Sequence, residues 1–112
     1  MKKDEYNKIV KASRMIEIDQ NIEMLSTFGL TSEEKEYFEF AIKMPTSEIK
    51  TFIEFYDNSQ PKYDELKFVS MLMTRYSESH DNIIKRIQQV RRIMKYEEKL
   101  EESKKFSKIL EK

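Results

Sequence analysis

From Asp81 to Lys112 the chain contains neither glycine nor proline. Nothing in that stretch interrupts a helix, and at about 1.5 Å per residue it would span roughly 50 Å. The breakers that remain, one glycine and two prolines, cut the rest of the chain into shorter pieces. The fold must therefore be arranged around one long element, expected from residue 79 to 112. Glu, Lys, Ile, Met and Leu dominate the composition, and all of them suit helices. Disorder is disfavoured, because seven Phe and six Tyr supply apolar surface in a chain of zero net charge. At 112 residues the length fits a single domain, residues 1–112, with one core. We expect an all-α fold: a compact bundle of about five helices, the C-terminal one long and either projecting or forming a coiled coil.

The first helix is expected from about Lys3 to Phe28, with Met15, Ile18, Ile22 and Leu25 on one face. Tyr6, Ile9 and Val10 point elsewhere, which predicts a bend near Ser13 or two helices. Gly29 stands where a helix ending needs positive φ, and Leu30 can supply the hydrophobic contact of a Schellman motif. Thr31-Ser32-Glu33-Glu34 matches a capping box that opens a second helix, Ser32 to Lys43. Its run Tyr37 to Met44 is apolar on most sides, so a central position is expected.

Pro45 ends that helix, and Thr46 or Ser47 can cap a third, with Ile49, Phe52, Ile53 and Tyr56 in a one-sided stripe. Asn58 to Pro61 reads as a turn. A fourth helix, about Lys62 to Tyr76, shows Leu66, Val69, Met73 and Tyr76 on one side and Phe68 and Leu72 on another, so burial is expected. Ser77 or Ser79 can cap the long helix. Its seam Ile83, Ile87, Val90, Met94 fails at Glu97 and Glu101, and Phe106, Ile109 and Leu110 form a second, rotated patch.

Motifs for catalysis are missing. His80 is the only histidine and cysteine is absent, so neither a hydrolytic triad nor a thiolate site can be assembled. No Glu-x-x-His pair, calcium loop or glycine-rich phosphate cradle occurs. We expect a non-enzymatic protein with no catalytic residue, no metal, no cofactor and no small-molecule substrate. No apolar run approaches the length of a membrane span, and the charged start Met1 to Glu5 is followed by no leader-like apolar segment. A cytoplasmic location without membrane attachment is expected.

The zero net charge hides a segregation. Glu33, Glu34, Glu36, Glu39, Glu48 and Glu54 outnumber Lys35, Lys43 and Lys50 between Thr31 and Tyr56. Asn82 to Tyr96 carries Lys85, Arg86, Arg91, Arg92 and Lys95 with no acid at all. Helix four, a short turn and the following helix, about 62–96, have the layout of a helix-turn-helix unit. In that reading Ile83 or Ile84, Ile87 and Val90 pack inward. His80, Asn82, Lys85, Arg86 and Gln89 face the DNA, with Asn82, Arg86 and Gln89 on one base-reading stripe. Lys85, Arg92 and Lys95 would meet phosphates.

The nucleic-acid-binding set is thus His80, Asn82, Lys85, Arg86, Gln89, Arg92 and Lys95, in a regulator that binds DNA as a homodimer. Replacing Arg86 and Gln89 by alanine is expected to abolish sequence preference and leave the fold intact. Against this reading, the usual turn glycine is missing, and Glu78 and Asp81 would repel phosphate. The rival reading is a protein–protein adaptor or inhibitor. It would act through the acidic helices or the long helix, whose broken apolar patches finish their burial on another chain.

Overall fold

The computed structural model describes residues 3–24 and 28–110, with side chains described through residue 104. Five helices follow in order: α1 (Lys3–Gln20), α2 (Ser32–Lys43), α3 (Thr46–Asn58), α4 (Glu65–Tyr76) and α5 (His80–Leu110). They form a compact all-helical bundle with α5 as its spine. α5 packs against α1, α3 and α4, while α1 also packs against α2. With 31 residues, α5 measures about 46 Å and outruns its neighbours. That accounts for a radius of gyration of 16.0 Å, against about 13 Å for an average domain of this size.

Two apolar clusters hold the helices. One gathers Met44, Ile49, Ile53, Phe68, Val69, Leu72, Ile83 and Val90 from the α3–α4–α5 side. The other gathers Met15, Ile18, Tyr37, Phe38, Ala41 and Ile93 from the α1–α2–α5 side. A stacked pair, Tyr56 on Phe68 at 4.6 Å between ring centroids, adds to the first.

The local signals hold where backbone chemistry dictates them. Thr31 and Glu34 form the reciprocal capping box, with Glu34 N–H donating to Thr31 Oγ1 at 3.1 Å and Thr31 N–H to Glu34 Oε1 at 2.9 Å. Ser79 caps α5 through the Asn82 N–H.

Other expectations change. α1 stops at Gln20 rather than Phe28, because the Asn21 side-chain amide takes the Glu17 carbonyl at 2.9 Å, the place of the next backbone donor. It runs unbroken through Ser13, since Ala12, Met15 and Ile18 already share one buried face. Gly29 has positive φ, +83°, within the α1–α2 connection rather than at a helix end. α4 begins at Glu65, not Lys62, where the Asp64 carboxylate accepts from the N–H groups of Leu66 and Lys67.

α2 buries Tyr37, Phe38 and Ala41 but leaves Ile42 exposed, so it is half-covered rather than central. Leu66 is likewise exposed, off the buried face of α4. Leu25 and the patch Phe106, Ile109, Leu110 lie outside the described side chains.

Candidate docking groove and the fate of the basic stretch

Thr46 does not cap α3; Pro45 occupies the N-cap position and no side chain satisfies it. The Thr46 hydroxyl instead donates to the Asp19 carboxylate at 3.0 Å and accepts from Arg86 Nη2 at 2.7 Å. Arg86 also donates through Nε and Nη2 to the Met44 carbonyl, at 3.0 and 2.9 Å, and through Nη1 to Gln89 Oε1. Met44 is the C-cap of α2, where the break at Pro45 leaves the carbonyl without an intrahelical donor and the helix dipole favours a cation.

Tyr37 completes the group. Its ring lies under the Arg86 guanidinium, 5.0 Å away, and its hydroxyl donates to Asp19 at 2.7 Å. Burial pushes the Tyr37 phenol up to about 12, with the neighbouring Asp19 carboxylate acting in the same direction. Five side chains and one carbonyl thus join α1, α2, α3 and α5 in a fully bonded core network, and no buried side-chain polar atom among the described residues lacks a partner.

This arrangement corrects the face assigned to α5 from sequence. Arg86 is fully buried and Gln89 nearly so, on the side where Ile83, Val90 and Ile93 meet the core. Two members of the expected base-reading stripe therefore point inward. The third, Asn82, is half-buried and donates to Glu78 Oε1 at 3.1 Å. Hydrophobic spacing favoured Ile87 and Met94 as the seam. Both are only partly buried, because the bonds from Arg86 to α2 and α3 rotate the helix toward the polar residue.

The remaining cations of the stretch divide. Arg91 makes a bidentate pair with Asp57 at the C-terminal end of α3, both bonds 2.9 Å, and this holds the Asp57 carboxyl below its usual range. Lys85 stands 4.0 Å from Glu36, and His80 is exposed. Arg92 and Lys95 are exposed and line a groove between α1 and α5. Its volume is about 500 Å³; Ile9, Tyr96 and Leu100 supply the apolar surface, with the buried Ala12 beneath them. Lys8 and Lys99 join the two cations around it, and Glu5 is the one acidic lining residue.

The sequence held a partial signal for this groove: Tyr96 and Leu100 are one helical turn apart, beyond the point where the Ile83–Met94 seam stops. Nothing in the sequence indicated that Ile9 and Ala12 would face them. Among the described residues no three His, Cys, Asp or Glu side chains are grouped as a metal site, and no helix is long and apolar enough to cross a membrane. Comparison with protein-family models, curated proteins and solved structures finds no match to this chain.

Proposed function

We propose that this chain is a non-catalytic protein-binding module, holding a segment of another polypeptide in the groove between α1 and α5. The observation that carries the reading is the groove itself, an open concavity with an apolar floor between α1 and the stretch of α5 from Arg92 to Ser103. Apolar surface in a concave site favours a ligand that covers it, and a pair of helices offers a third the ridges and grooves of ordinary helix packing.

A second reading, binding of nucleic acid, is supported by the exposure of Arg92 and Lys95. With Arg86 and Gln89 inside the core, that reading reduces to phosphate contacts and therefore to binding without base preference.

The two are separated by titrating isotope-labelled protein with helical peptides of varied charge, and with random-sequence duplex DNA. Peptide binding is expected to shift the amides of Ile9, Ala12, Tyr96 and Leu100. DNA binding would instead weaken steeply with salt and centre on Lys85, Arg92 and Lys95. Failure of every peptide to move the groove amides would overturn the protein-binding reading.

A further inference from the structure

Resting on that reading, we infer that the segment held in the α1–α5 groove is an acidic amphipathic helix of about three turns. The first support is charge. Lys8 from α1 and Arg92, Lys95 and Lys99 from α5 surround the groove, and among the described residues none of the four takes part in an ion pair. Several cations elsewhere are paired across helices, Lys11 with Glu33, Arg14 with Glu34, Lys50 with Glu97 and Arg91 with Asp57. Others without an ion pair among the described residues, such as Lys35, Lys62 and Lys67, lie on separate helices or turns. What sets the groove apart is the grouping: four cations without an ion pair stand around one apolar floor, against the single carboxylate of Glu5.

Spacing gives the second support. Arg92, Lys95 and Lys99 fall at i, i+3 and i+7, one stripe of like charge along α5, which is unfavourable in the free helix. An anionic partner relieves that repulsion, which favours its binding.

Shape gives the third. Tyr96 and Leu100 lie a turn apart beside this stripe, and Ile9 and Ala12 face them from α1. The α5 lining runs from Arg92 to Ser103, about 17 Å at the helical rise, which matches a partner helix of about 11 or 12 residues. Such a helix places apolar residues at i, i+3 or i+4, and i+7 on the floor, with Glu or Asp flanking them toward the cations. A duplex would meet the same cations but leave the floor in water.

The test uses the full chain and three labelled synthetic peptides of about 14 residues. One carries leucines at helical spacing flanked by glutamates; the second replaces each glutamate by lysine; the third is the acidic composition scrambled to remove the apolar stripe. The acidic patterned peptide is expected to bind at least about tenfold more tightly than either of the others, less so at high salt. The double reversal Arg92→Glu with Lys95→Glu should invert the preference toward the lysine peptide. An inverted preference cannot come from loss of fold, and helical content by circular dichroism checks the variant independently.

Equal binding of the acidic and lysine peptides, or a preference that survives the reversal, overturns the charge assignment and leaves the groove reading standing. Equal binding of the scrambled peptide, or displacement of the acidic peptide by a smaller amount of random duplex, overturns the amphipathic helix in favour of a general polyanion. If no peptide binds, the inference falls together with the reading on which it rests.

Discussion

Arg86 sits in a run of basic residues, yet its surroundings differ from those of its neighbours. A charge taken out of water must find hydrogen bonds for its donors and an opposite charge nearby, or the site will not form. Arg86 meets both demands through the Met44 carbonyl, Thr46, Gln89 and, one hydroxyl further, Asp19. Arg86→Ala should lower stability by about 3 kcal/mol, read as a shift in urea midpoint. Peptide affinity at the groove, measured where the variant remains folded, should stay within about twofold. This reverses the sequence-based expectation that Arg86 could be truncated with the fold intact, and an unchanged midpoint would return the residue to the surface.

Tyr37 gives the same network a pH signature. Its folded pKa is raised from 10.0 to about 12, so the folded state keeps a proton that the unfolded chain releases. Stability from this source is complete below pH 10 and falls as pH rises from about 10 to 12, by about 2 kcal/mol. Urea midpoints measured across that window should decline more steeply for the native chain than for Tyr37→Phe. The slope decides, since the substitution also removes two hydrogen bonds at every pH.

At the scale of elements, the bend between α4 and α5 is made without glycine. Ser77 adopts φ 53° and ψ 48°, a left-handed conformation that costs a residue with a Cβ about 1 kcal/mol. Its N–H donates to the Met73 carbonyl, as does that of Glu78, so the conformation closes α4 as a helix ending does. Ser77→Gly is expected to raise stability by about 0.5–1 kcal/mol, visible as a higher urea midpoint, and a lower one would mean that the turn gains little from relief of φ.

This junction and the Thr31 box show what was legible in the sequence. The boundaries at Thr31 and between Tyr76 and His80 could be read from local donors and acceptors, whereas those set by the Asn21 amide and the Asp64 carboxylate lie several residues from where the sequence pattern puts them. The number of helices could be read too, because breakers are few and the long segment has none. What could not be read was rotation about the helix axis. Asp19, Thr46 and Arg86 are distant in sequence, and each looks like a solvated or capping residue alone; only their meeting turns α5 so that Arg86 faces inward. Pattern recognition assigns polar residues to the outside by default, and a buried polar network defeats that rule.

On the scale of the whole molecule, burial along α5 is uneven, and stability should follow it. Ile83, Arg86, Val90 and Ile93 are almost wholly covered, whereas Leu100 is 42% exposed and residues 101–104 are exposed on every side. Helical hydrogen bonds in water are marginal without tertiary packing, and opening free energies range from near zero to the global value within one protein. Amides between Ile87 and Ile93 should therefore exchange only through global unfolding, with protection declining through Tyr96 and Leu100 toward Lys104. Native-state hydrogen exchange resolves that gradient directly. A helical peptide seated in the α1–α5 groove adds packing along one side of the exposed segment, so protection should rise from Tyr96 to Ser103 and remain unchanged near Ile87. If the free chain is instead protected uniformly through Ser103, that end of α5 is already covered in solution by a second copy. Such a result would make the groove an interface between identical chains, and protection would then fall on dilution.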